Sequence, residues 1–383
     1  VIAGHAAYAG LALVFVLLTL RHMGFTSREA IASVALLFAG GPLHFYAQNG
    51  YPHAATTFLV AAALLVALPG LSGKPPPGRL LAVGLLLGLG ALVRYENAIY
   101  AAPFAVALAV AARSRGDSAF AALLRSGFFI GLGMIPALAL LPFYWKSQGG
   151  TLLHPGYENR FTLDIAPWPP LNTLLSAHHG FLLYHPVFAL ALIGWGVALW
   201  RFRSLPLAWR ALSVASLGGF FFKATFCGFW KYWWSGEAYS QRFLIDSIPL
   251  LAPGLALWLA PDAARRQGGG GKPERARSAG RFALAALAAI YSYGLFVLAN
   301  SGLVYDNNPG GPGDTLMDYR YVWEKGVGWG GVLRSVAAAS YTWPAIKGHP
   351  LVIAVAGVIG FALLCLFGAF LLDRRASRGR HGP

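Results

Sequence analysis

Charge is what this sequence has least of. Only 11% of its 383 residues are Asp, Glu, Lys or Arg, where a soluble domain carries about a quarter. Acidic side chains are scarcer than basic ones, 14 against 30, so the few carboxylates present need a reason. There are two cysteines, Cys227 and Cys365, both inside apolar stretches. That number excludes a disulfide framework and a cysteine-based metal motif, and leaves core or lipid-facing packing as the default for each. No internal repeat is visible, which argues against an inverted-repeat transporter. No stretch reads as a soluble domain.

What is there is apolar: 57% hydrophobic residues and a mean hydropathy of +0.56. A membrane-crossing helix needs about 20 mostly apolar residues. Eleven segments qualify, at 3–20, 29–47, 54–71, 79–93, 97–112, 126–145, 182–200, 207–228, 243–260, 282–300 and 350–372. Residues 1–383 therefore read as a single transmembrane domain, an all-α polytopic helical bundle. The short pair 79–93 and 97–112 reads as a hairpin with Arg94 and Glu96 at its tip.

The net charge of +16 raises nucleic acid as a partner, and the distribution argues against it. Arg21 and Arg28, Lys74 and Arg79, Arg113, Arg115 and Arg125, then Arg201, Arg203 and Arg210, lie in short loops on alternate sides of the helices. So do the basic residues of a connector at 261–281, with its Gly268–Gly271 run, and those of the tail after 372. With eleven helices all of these fall on one side, the positive-inside pattern, so that side is cytoplasmic. The C-terminus is then cytoplasmic and Val1 outside. The first methionine is Met23, and the expectation is that one more helix precedes Val1.

On the opposite face two loops are long, 146–181 and 301–349, and rich in aromatic and charged residues. The second is a candidate surface for a protein partner. Five polar constellations also fall there: 48–53 ending in His53; Arg94-Tyr95-Glu96-Asn97; His178-His179 with His185; Lys223 to Glu237; and Gln241-Arg242 with Asp246. Charge at membrane depth is expensive and usually functional. Arginine offers a planar fork for phosphate oxygens, carboxylates orient it or bind sugar hydroxyls, and Trp and Tyr suit a sugar ring or the headgroup zone. The candidate substrate-binding residues are Arg94, Glu96, Arg242, Asp246, Lys231, Glu237, His53 and Arg160. Structural alternatives stand beside them: an Arg94–Glu96 ion pair at a turn, an i,i+4 pair of Arg242 and Asp246, interfacial tryptophans, and a Lys223 that either snorkels or meets a buried anion. No metal-ligand motif accompanies the histidines.

Four stretches in order, FYAQNGYPHAATTFLVAAALLVAL, GLLLGLGALVRYENAIYAAPFAVAL, LNTLLSAHHGFLLYHPVFALALIGWGVAL and YWWSGEAYSQRFLIDSIPLLAPGLAL, resemble bacterial GT-C-fold glycosyltransferases. That superfamily includes the protein O-mannosyltransferases and the lipid A aminoarabinose transferase. The resemblance covers roughly residues 1–260. It implies a GT-C bundle in the bacterial inner membrane that takes a sugar from a polyprenyl-phosphate carrier at the periplasmic face. It also implies that outer-loop cations hold the lipid phosphate, at Arg94 and Arg242 first and Lys231, Arg160 and His53 next. The family's catalytic Asp lies in a first outer loop that would precede Val1, so no catalytic residue is assigned. The donor would be a polyprenyl-phosphate sugar, with acceptor and any divalent metal open. The alternatives are a transporter or flippase of a lipid-phosphate substrate, and a non-catalytic membrane scaffold that keeps the fold.

Overall fold

α1 (Ile2–His22) ends in a turn that only glycine makes cheaply. Gly24 has φ +83°, and Phe25 N donates to Leu20 O at 3.2 Å, the six-to-one bond of a glycine-terminated helix. α2 (Ser27–Gly40) starts two residues on with a capping box: Thr26 and Glu29 each accept the other's backbone N–H. A later corner between two helices repeats the first device, with Gly116 at φ +87° and Asp117 N donating to Ala112 O.

The structure, a computed structural model, describes residues 2–48, 52–147, 150, 169–175, 180–200, 205–229, 241–261, 263 and 275–300. After α2 come α3 (Leu43–Gln48), α4 (His53–Ser72), α5 (Pro77–Val93), a 3₁₀ turn (Tyr95–Tyr100) and α6 (Ala101–Ser114). α7 (Ala119–Leu138), α8 (Leu141–Ser147), α9 (Pro169–Leu175), α10 (Phe181–Tyr184), α11 (Pro186–Trp200) and α12 (Leu207–Gly228) follow. A second 3₁₀ turn (Arg242–Ser247), α13 (Ile248–Leu259) and α14 (Arg275–Asn300) complete the described chain. No strand occurs among the described residues, and the protein is an all-α helical bundle.

Six helical stretches are long and apolar enough to cross a membrane, at Gly4–His22, His53–Leu71, Tyr95–Arg113, Ala119–Ser147, Leu207–Gly228 and Arg242–Leu259. Pro77–Val93 and Pro186–Trp200 are apolar but shorter. Large apolar side chains such as Phe120, Phe128, Phe143 and Trp200 are exposed. Such a surface suits lipid, not water. Ten of the eleven apolar segments fall on described helix; the eleventh, 350–372, and the loop 301–349 lie outside the described residues.

Three boundaries differ from the expectation. Segment 29–47 is two helices, because Gly41 and Pro42 interrupt it before α3. α7 begins at Ala119, earlier than hydropathy places it. Ser118 caps it, and Arg125 inside its second turn donates to Pro75 O at 3.1 Å. The expected hairpin opens at Arg94. α5 packs chiefly on α7 and α4, while α6 packs on α12 and α7. The α5–α7 crossing is close because glycine lines it: a Cβ at Gly84 or Gly133 would collide with the carbonyl of Ile130 or Leu81.

α13 is the centre of the bundle. Every residue from Ile248 to Leu259 except Trp258 is buried, as an all-round apolar helix requires. α11 crosses it at Gly194 against Gly254, and Trp195 Nε1 donates to Leu250 O at 3.1 Å. The bundle has two chemically distinct ends. The basic turns of α1–α2, α4–α5 and α6–α7 share one end with the start of α12, joined by Phe25 against Trp209 and by Arg125 to Pro75. The opposite end gathers the start of α4, the end of α5, both 3₁₀ turns and the end of α12.

Candidate functional site

Each functional side chain at that opposite end sits where a helix starts or stops. α5 ends at Val93, and Arg94 is its extended cap, its N–H donating to Gly90 O. The chain then winds as 3₁₀ through Tyr95–Tyr100 before α6. In a 3₁₀ turn residues three apart eclipse, so Asn97 and Tyr100 point the same way. Arg242–Ser247 repeats the arrangement ahead of α13.

Arg94 organises the upper layer. Its Nε donates to Glu96 Oε1 at 2.6 Å, and Nη2 pairs with the same carboxylate. Nη1 donates to the ring of His53, 2.7 Å from Nε2. His53 is the first residue of α4 and is buried; its ring stands edge-on to Tyr46 with centroids 4.9 Å apart. Its carbonyl accepts from the hydroxyls of Thr56 and Thr57 at 3.0 and 2.7 Å. Burial alone opposes the charge on Arg94, but the carboxylates of Glu96 and Asp246 outweigh it and raise the guanidinium's pKa. Arg94 and Arg242 both lie within cation–π distance of one ring, Phe243, at 5.1 and 5.7 Å. Two arginines far apart in sequence thereby share one aromatic ring.

The lower layer lies inside the bundle. Lys223, near the end of α12, is fully buried. Its Nζ donates to Asn97 Oδ1 and, at 3.2 Å, to Asp246 Oδ2, and lies 5.3 Å from the Tyr100 ring centroid. The Tyr100 hydroxyl donates to Asp246 Oδ1 at 2.8 Å. That uses its one proton, so Ser247, 2.7 Å away, donates to it. All five side chains are buried.

His53, Arg94, Glu96, Arg242 and Asp246 thus come together. Arg94 and Glu96 do form an ion pair, and it is part of the site. Lys223 meets a buried anion and does not snorkel. Asp246 is engaged by Lys223 and Tyr100, and 3₁₀ winding removes the i,i+4 stacking that a pair with Arg242 requires. Lys231, Glu237 and Arg160 lie outside the described residues, as do His178 and His179. His185 is buried with Nδ1 2.9 Å from Gly40 O, holding α11 to α2. Tyr100 and Ser247 were not singled out from the sequence. Their signal was the spacing Asn97…Tyr100 and the adjacency of Ser247 to Asp246, which become meaningful only in 3₁₀ winding.

Three cations, Arg94, Lys223 and Arg242, and two carboxylates, Glu96 and Asp246, meet at the rim of an apolar bundle. Among the described residues no group of three His, Cys, Asp or Glu side chains converges as a metal cage would require. Compared with family models, curated proteins and solved structures, the chain matches none.

Proposed function

We propose that the protein is a GT-C-type glycosyltransferase that takes a sugar from a polyprenyl-phosphate carrier, with Arg94 and Arg242 holding the phosphate. One observation carries this reading: both guanidinium groups stand at one ring, at the end of the bundle away from the basic loops. An isoprenoid tail would lie along the exposed apolar flanks while its phosphate meets the two guanidinium groups. By the positive-inside rule the site end faces the periplasm of a bacterial inner membrane, in an eleven-helix arrangement with a cytoplasmic C-terminus.

In the reaction an acceptor nucleophile attacks the anomeric carbon, the carbon–oxygen bond to phosphate breaks, and a carboxylate takes the acceptor's proton. Polyprenyl phosphate leaves with an added charge. Arg94 and Arg242 therefore stabilise the transition state more than the ground state. Glu96 and Asp246 are already committed to cations, so the proton acceptor is another carboxylate. Glu158, Asp164 and Glu237, all on the same face by sequence, lie outside the described residues.

The test is turnover. Purified protein in nanodiscs is given a panel of polyprenyl-phosphate sugars, and release of polyprenyl phosphate is followed. At least one donor is expected to be consumed, about a hundredfold more slowly by Arg94→Ala. Consumption of none, or an unchanged rate in Arg94→Ala, would overturn the reading.

A further inference from the structure

We infer that Lys223 is a positioning residue for this anion site and not one of its ligands: with Asp246 it locks together the two 3₁₀ turns that present Arg94 and Arg242. The inference rests on the lipid-phosphate reading above.

The geometry is that of a tie between two elements. Asn97 and Tyr100 belong to the turn Tyr95–Tyr100, whose cap is Arg94. Asp246 and Ser247 belong to the turn Arg242–Ser247, which Arg242 opens. Lys223 reaches in from α12 and donates to one residue of each turn, Asn97 and Asp246. Tyr100 crosses directly to Asp246 and Ser247. 3₁₀ turns have poor internal hydrogen-bond geometry and rarely persist alone, so their relative placement must come from outside them. The Lys223 and Asp246 side chains are 0% and 1% exposed, which leaves a phosphate no approach to Nζ. A buried ion pair adds little net stability over a well-packed apolar pair, yet losing one member is severe. Such a pair earns its place by specifying geometry, here the spacing of two arginines.

The experiment compares farnesyl phosphate with farnesol binding to the full chain in nanodiscs by native mass spectrometry. The proteins are wild type, Lys223→Met, Asp246→Asn and the double variant. A positioning tie gives about a tenfold or greater loss of phosphate affinity in each single variant and little further loss in the double, because either substitution breaks the same link between the turns. A phosphate ligand gives the opposite pattern. Asp246→Asn would free Nζ and tighten binding while Lys223→Met weakens it; that result, or unchanged affinity in both single variants, overturns the inference. If wild type does not prefer the phosphate over the alcohol, the anion-site reading itself fails. The tie is then judged by amide exchange. Segments 95–100 and 242–247 are expected to exchange faster together in Lys223→Met and in Asp246→Asn alike. Faster exchange confined to α12 would contradict it.

Discussion

Arg94 Nη1 lies 2.7 Å from Nε2 of His53, a residue 41 positions earlier at the start of α4. Arginine has donors only, so the histidine is the acceptor and aims the guanidinium as a bracket would. His53→Leu removes the acceptor from a buried donor, which costs about 1–3 kcal/mol. A lower melting temperature in detergent and weaker phosphate binding are expected together. An unchanged melting temperature would show that the contact carries no weight.

Arg94→Lys is expected to behave like Arg94→Ala. One guanidinium serves Glu96 through Nε and Nη2 and His53 through Nη1. An ammonium on a flexible stem cannot reproduce that planar fork. Loss of either form of the contact should cost about 3 kcal/mol, or a hundredfold in turnover. Near-wild-type turnover by the lysine variant would mean that charge alone suffices.

Two glycines on opposite faces of α11 give a matched pair for the fold. A Cβ at Gly194 would collide with the Gly254 carbonyl, whereas a Cβ at Gly196 meets nothing within 4 Å. Gly194→Ala is expected to destabilise by about 1–3 kcal/mol, the usual cost of overpacking, and Gly196→Ala to leave the melting temperature unchanged or slightly raised. Equal behaviour of the two would place the α11–α13 crossing elsewhere.

The orientation can be read with a membrane-impermeant maleimide in a Cys365→Ser background, since Cys227 is buried. Lys74 and Ser147 are exposed and sit at opposite ends of the bundle. Ser147→Cys should label in intact cells and Lys74→Cys only after permeabilisation. The reverse would invert the site's face.

Much of the helical layout was legible because apolar runs near 20 residues have few other uses. The site was legible because charge inside such runs has to be justified: Arg94, Glu96, Arg242 and Asp246 stood out against their neighbours. What stayed hidden depends on long-range partners. Nothing near Lys223 in sequence indicates Asn97, 126 positions away, and nothing near Tyr100 indicates Asp246. Hydropathy also misjudged helix starts that carry arginine. α7 begins before Arg125, whose charge reaches Pro75 O, and α14 begins before Arg281, which lies 5.6 Å from the Trp258 ring centroid. The α5–α6 hairpin failed because a hairpin assumes two neighbours pack on each other, and the glycines of α5 draw it to α7 instead.

The central claim is that two arginines at the ring of Phe243 recognise the phosphate of an isoprenoid lipid. The most direct measurement is the ratio of affinities for a polyprenyl phosphate and the matching polyprenol in nanodiscs, for wild type, Arg94→Ala and Arg242→Ala. Wild type is expected to favour the phosphate by about a hundredfold, and each variant to lose most of that preference while binding the alcohol unchanged. A wild-type ratio near one, or a preference that survives both substitutions, would contradict the claim.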